Sequence, residues 1–229
     1  VVKYGDLLTT IAKGYTASTD AWVALEMAAY GGTKLTKFSG TDVAVALAEA
    51  ATQETVNLET LSKHDYTNES WNIPYVLLAY DAAGADTAGF SNTREALKES
   101  LVSRLNNVGD STDVEDVTPA LAALAPYYNT DDGVKSAVDK GVAWLSQHQN
   151  RDGTFSSYGT SNANTTAMAV VALAALGIDA HTDSRFVKDK SAVAGLFSFA
   201  LADDHSGFGH KGNVTRDELA TEQAFRALV

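Results

Sequence analysis

Residues 165–179 read TTAMAVVALAALGID, and from Ala167 to Ile178 no polar side chain interrupts the run. It is too short to cross a bilayer, which takes about 20 apolar residues. It also lacks the period-two alternation of a half-buried strand. The run therefore predicts an Ala-rich helix buried on nearly all sides, and such a helix needs neighbours all round. Its Ala172-Leu173 pair has counterparts in VTPALAALAPYY (Ala123-Leu124), TEQAFRALV (Ala227-Leu228), IPYVLLAYDAAG (Ala79-Tyr80) and VALEMAAYGG (Ala29-Tyr30). The alanines at 29, 79, 123, 172 and 227 are separated by 50, 44, 49 and 55 residues. Two ordinary helices with their loops need roughly 40 to 50 residues, so the spacing predicts a helical repeat.

Between these apolar segments lie amphipathic ones. DDGVKSAVDKGVAWLSQHQ, from Asp131, puts Val134, Ala137, Val138, Val142 and Leu145 on one stripe and turns Lys135, Asp139 and Lys140 away from it. TREALKESLVSRLNN from Thr93, TDVAVALAEAATQ from Thr41 and SAVAGLFSFALAD from Ser191 fill equivalent places, and Tyr4 to Lys13 is a candidate outer helix before the first copy. Thr93 and Thr41 are suitable N-caps. Alternating buried and half-buried helices predict two concentric layers. The expected fold is all-α, an α/α toroid of about five to six helical hairpins with inner and outer rings, rather than a linear solenoid.

Three of these segments, VEDVTPALAALAPYY, NTTAMAVVALAALGID and DELATEQAFRALV, together with GVAWLSQHQNRDGTF, resemble the prenyltransferase and squalene-cyclase type repeats of Gram-positive bacterial cell-surface proteins. The resemblance is strong from Asp113 to Val229. Before Asp113 it is carried mainly by LSKHDYTNESWNIPYVLLAYDAAG. It implies a terpenoid-cyclase-type toroid in a secreted or surface protein. QNRDGTF, Gln149 to Phe155, resembles the family's Gln-x-x-x-Gly-x-Trp hairpin motif with Phe155 in place of Trp. On that reading Gln149 caps the end of the outer helix, Asp152-Gly153 makes the turn, and Phe155 plugs the gap between hairpins. The same stretch is a poor calcium loop. An EF-hand register would begin at His148 and place Gly159 where the bidentate Glu belongs. The later turn DDHSGFGH keeps Gly207-Phe208 but has Ala202 at the Gln position.

Bulk properties limit the function. The 229 residues include 29 acidic and 17 basic side chains, giving a net charge of −12, which repels nucleic acid and anionic membrane surfaces. Without cysteine there are no disulfides, no thiolate chemistry and no cysteine-ligated zinc. Three prolines and no linker-like stretch predict a single domain over 1–229. A chain that starts at Val1 without a signal peptide reads as an excised part of a longer surface protein, expected at the cell surface or outside the cell.

Asp113, Glu115 and Asp116 stand where class II terpene cyclases carry Asp-x-Asp-Asp, and the resemblance would make Glu115 the proton donor. Acidic residues at a helix N-terminus are equally expected as caps favoured by the macrodipole, so no catalytic residue is assigned. His64, His148, His181, His205 and His210 are scattered. His205 and His210 share a turn with Asp203 and Asp204, and we read that turn as a solvated loop with neither metal nor cofactor.

Cobalamin carriers resemble this repeat and hold ligand with the help of a second, β domain. By that analogy Trp71, Asn72 and Tyr75, and after the third inner helix Tyr127, Tyr128 and Asn129, are candidate ligand-binding residues. Aromatics flanked by amides suit sugars and flat ligands. Tyr80 belongs with this group as a ligand-mouth residue, although Tyr75 and Tyr80 share a helix with core Val76, Leu77 and Leu78 and packing is the other reading of both; Trp22 and Trp144 read as core. The functional expectation is a non-catalytic binding or adhesion module for a small molecule, glycan or host or cell-surface partner, without membrane insertion. The alternative is an α/α-barrel polysaccharide lyase or glycosidase, in which Asp65, Tyr66, Glu69 and Asp113 would have to converge.

Overall fold

The computed structural model describes residues 73–82, 86–90, 92–203 and 206–229. Seven α-helices make it mostly helical. They are α1 Ile73–Ala82, α2 Arg94–Asn106, α3 Val114–Leu124, α4 Asp132–Gln147, α5 Ala163–Ala175, α6 Ala192–Phe197 and α7 Glu218–Leu228. Two two-residue strands, β1 Ser156–Ser157 and β2 Thr160–Ser161, form an antiparallel hairpin between α4 and α5. The all-helical expectation did not include it. The chain divides into two compact units, Val1–Ser100 and Leu101–Val229, and α2 runs across the division.

In the first unit α1 buries Ile73, Val76, Leu77 and Tyr80. Arg94 closes its C-terminal end, donating from Nη2 to the Tyr80 carbonyl at 3.0 Å and pairing through Nε with Asp81 at 2.7 Å. The Tyr80 ring meets Phe90 edge-on at 5.4 Å. Its hydroxyl has no hydrogen-bond partner among the described residues, and burial pushes the phenol's pKa up. Tyr80 is therefore core, the packing alternative of its sequence reading, and not part of a ligand mouth. Thr93 caps α2 through its hydroxyl to the Ala96 N–H.

The second unit is organised around α5, which packs against α3, α6, α7 and β1. Ala163, Ala167, Ala169, Ala172 and Leu173 are completely buried there, so the Ala-rich run finds its neighbours. Burial ends before the helix does, because Ala174 and Ala175 are exposed. Helix α4 lies against α3 with the predicted stripe inward and Lys135, Asp139 and Lys140 outward. Gly141 permits the contact, since a Cβ there would come within 3.0 Å of Leu121 and 3.1 Å of Leu105. Trp144 is buried and donates to the Gly109 carbonyl.

One register governs α3, α5 and α7. Each begins at a capping Asp or Asn, at 113, 162 and 217. Seven residues on stands a fully buried alanine, Ala120, Ala169 or Ala224. Ten and eleven residues on stands the Ala-Leu pair. The pair is fully buried in α3 and α5 and partly buried in α7, so it marks a packed position of the repeat.

QNRDGTF serves this packing. Asp152 Oδ1 accepts from the backbone N–H and hydroxyl of Thr154, and Gly153 turns the chain at φ 87. Phe155 is fully buried. Gln149 departs from its expected role: His148 is the C-cap of α4, while Gln149 Nε2 donates to the carbonyls of Gly153 at 3.1 Å and Phe186 at 2.9 Å. The side chain ties the turn to the loop before α6, because a buried carbonyl pair needs donors more than a helix end already closed by its own backbone. The helix expected from Ser191 to Asp203 also shrinks. Ser191 caps it, but it ends at Phe197, and Ala200 bridges Phe208 instead.

Candidate functional site

Three capping motifs open α3, α5 and α7. Asp113 caps α3 through Oδ1 to the Glu115 N–H at 3.0 Å, and Asp116 returns the favour to the Asp113 N–H at 3.4 Å. This reciprocal box satisfies two donors that the helix geometry leaves open. Asn162 caps α5 at the Thr165 N–H, and Asp217 caps α7 at the Ala220 N–H.

A threonine four residues after two of these caps does further work that the sequence reading missed. Thr166 Oγ1 accepts the Phe155 N–H at 3.0 Å and donates to the Asn162 carbonyl at 2.7 Å. Thr221 repeats this with the Phe208 N–H at 2.9 Å and the Asp217 carbonyl at 2.6 Å. Both hydroxyls are buried and clamp the aromatic turn onto the following helix. In α3 the equivalent position is Val117. The signal was present as Asn-x-x-x-Thr and Asp-x-x-x-Thr, but a threonine in an apolar helix reads locally as a neutral core residue.

From these turns side chains reach across helices. Thr165 Oγ1 donates to Glu115 Oε1 at 2.6 Å, joining α5 to α3. Asn164 Nδ2 donates to Gln223 Oε1 at 2.8 Å, joining α5 to α7. Asn164 Oδ1 faces His210 Nδ1 at 2.6 Å, so Nδ1 is the donor of this pair and Nε2 is left open. Glu115 and Asn164 both stand two residues after a cap, which is why both reach the next helix. Asp113 Oδ2 also accepts the Tyr158 N–H at 2.9 Å, fixing the β1–β2 turn to the start of α3. Glu115, His210 and Gln223 are half-buried. Each has one polar end engaged, while Glu115 Oε2, His210 Nε2 and Gln223 Nε2 have no hydrogen-bond partner among the described residues.

The acidic triplet is thus a capping device plus an interhelical tie. Tyr127, Tyr128 and Asn129 follow the far end of α3, about 16 Å along its axis at 1.5 Å per residue. There the Tyr128 hydroxyl donates to Asp139 at 2.8 Å and accepts from Lys135 at 2.9 Å, and Lys135 also lies over the ring. The Lys135 pKa is raised first by its bond to Tyr128 and then by that to Asp139, while Asp139 is lowered first by Lys135. Tyr127 is half-buried and Asn129 exposed. Tyr75 is half-buried on α1. Trp71 and Asn72 lie outside the described residues, as do Trp22, His64, Asp65, Tyr66, Glu69, Asp204 and His205.

The remaining histidines have structural partners. His148 stacks on Trp144 at 3.7 Å, and His181 meets the Ser191 hydroxyl at 3.0 Å. His210 is held in the interhelical network rather than standing in a solvated turn, because Asn164 supplies the acceptor for its Nδ1 proton. Among the described residues no group of three His, Asp or Glu side chains is arranged to hold a metal. No family model, curated protein or solved structure matches the chain.

Proposed function

We propose that the chain is a non-catalytic ligand-binding or adhesion module of the α/α-toroid type, belonging to a secreted or surface protein of a bacterium. Its binding surface is built from Glu115 and Asn164 in the first turns of α3 and α5, His210 in the loop before α7, and Gln223 on α7. The observation that supports this most directly is the network in which Glu115, His210 and Gln223 are each pinned at one end and open at the other. Side chains fixed by a hydrogen bond lose little further freedom on meeting a ligand, so the open ends are preorganised. The shared register of three side-by-side helices supports the toroid.

The competing cyclase reading assigns Glu115 as a proton donor. Glu115 is half-buried rather than secluded, and one of its oxygens already takes the Thr165 hydroxyl. Incubation with squalene, oxidosqualene and geranylgeranyl diphosphate, followed by mass spectrometry, should give no cyclised product. A product lost in Glu115→Gln would overturn the non-catalytic reading. Binding is tested by fragment screening with amide NMR, which should produce saturable shifts at Glu115, Asn164, His210 and Gln223. Shifts confined to other surfaces would remove this site.

A further inference from the structure

We propose that the surface carrying Glu115, His210 and Gln223 recognises an uncharged glycan, with Tyr158 as the platform on which a sugar ring stacks. This rests on the binding-module reading and adds the ligand class. Tyr158 is 91% exposed, the most exposed of the large hydrophobic side chains among the described residues. It occupies the first central position of the two-residue β1–β2 turn, at φ 47, followed by Gly159 at φ 74. Two successive positive φ values are those of a type I′ turn, where Asn or Gly is the usual first residue. A tyrosine there carries backbone strain and gains no burial for its ring. Asp113 holds it in place through the Tyr158 N–H. Beside it, Ser157 is 7% exposed and its hydroxyl has no partner.

The Asp113 carboxylate accepts both the Tyr158 N–H and the Glu115 N–H, so the exposed hairpin turn adjoins the start of α3, where Glu115 takes the Thr165 hydroxyl. Pyranose recognition needs this pairing, because the C–H face of the sugar stacks on an aromatic while adjacent hydroxyls need both acceptors and donors. Glu115 Oε2 supplies an acceptor, Gln223 Nε2 supplies a donor, and His210 Nε2 adds a third polar contact. The network contains a carboxylate and neither Lys nor Arg, and the chain carries a net charge of −12. Sulfated, phosphorylated and uronic-acid glycans are therefore disfavoured.

The test is amide NMR and isothermal titration with the hexasaccharides of N-acetylglucosamine, xylose and mannose, and with a heparin-derived hexasaccharide as the anionic probe. At least one neutral hexasaccharide should bind, shifting Tyr158, Glu115 and Gln223. Tyr158→Ala and Glu115→Gln should each weaken Kd by about tenfold. Tyr158→Phe should stay within about threefold. Binding of the heparin fragment alone, or of no saccharide while non-sugar fragments shift the same residues, overturns the glycan assignment but leaves the binding surface standing. Absence of any ligand shift at these residues overturns both. Saccharide binding that Tyr158→Ala does not weaken refutes the platform.

Discussion

Substituting Gly153 by alanine tests the junction between the QNRDGTF turn and α6. Two costs arise there. At φ 87 an L-residue is conformationally strained, worth about 1–2 kcal/mol. A Cβ would also overlap the Ser191 carbonyl, lying 2.9 Å from its carbon and 3.1 Å from the Lys190 oxygen. Backbone atoms cannot rotate away as a side chain can, so the turn must shift, at about 1–3 kcal/mol for an overpacked contact. Gly159 is the internal control: it has φ 74, but nothing lies within 4 Å of its Cβ position, so only the first cost applies. Urea unfolding followed by far-UV circular dichroism should show Gly159→Ala losing about 1–2 kcal/mol and Gly153→Ala about 2–5 kcal/mol. Gly195→Ala reaches the same contact from the other side, since its Cβ would lie 2.6 Å from the Gly153 oxygen and the Thr154 nitrogen. If Gly153→Ala and Gly159→Ala destabilise equally within about 0.5 kcal/mol, the close approach is wrong.

Phe155→Ala removes a fully buried ring and should cost about 3–5 kcal/mol in the same assay; a loss under about 0.5 kcal/mol would mean the ring does not fill the junction. Thr221→Val keeps the shape but strands the buried Phe208 N–H, so it should lose about 1–3 kcal/mol, whereas Val117→Thr at the equivalent place in α3 should bring no comparable gain. Asp183 is held at about 2, first by the Arg185 side chain and then by the Arg185 N–H. Its folded-state pKa is depressed, so its contribution is fully present above the ordinary carboxylate value near about 4 and disappears as pH falls through about 2. Acid titration of Asp183→Asn should show a shallower fall in stability across that window, and an unchanged slope would refute the linkage.

Much of the helical framework could be read from the chain by itself because its causes are local. Periodicity marked the buried stripe of α4, the polar-free run marked α5, and Asp113 and Thr93 stood where caps belong. The Ala-Leu pair located the register of α3, α5 and α7, since it stands at a fixed offset from each cap. Asp152, Gly153 and Phe155 were legible as turn and plug. Gln149 was misread because its partner, the Phe186 carbonyl, is 37 residues away. The candidate surface escaped for the same reason. Glu115 meets Thr165 across 50 residues, Asn164 meets His210 across 46, and Asn164 meets Gln223 across 59. Local rules state that a polar side chain near a cap is tolerated, and they are silent on which helix it faces. Tyr158 carries the point furthest. Its composition favours burial, yet the hairpin turn, anchored to Asp113, leaves the ring in water. That outcome depends on where two strands and a helix end meet, and only packing in three dimensions decides it.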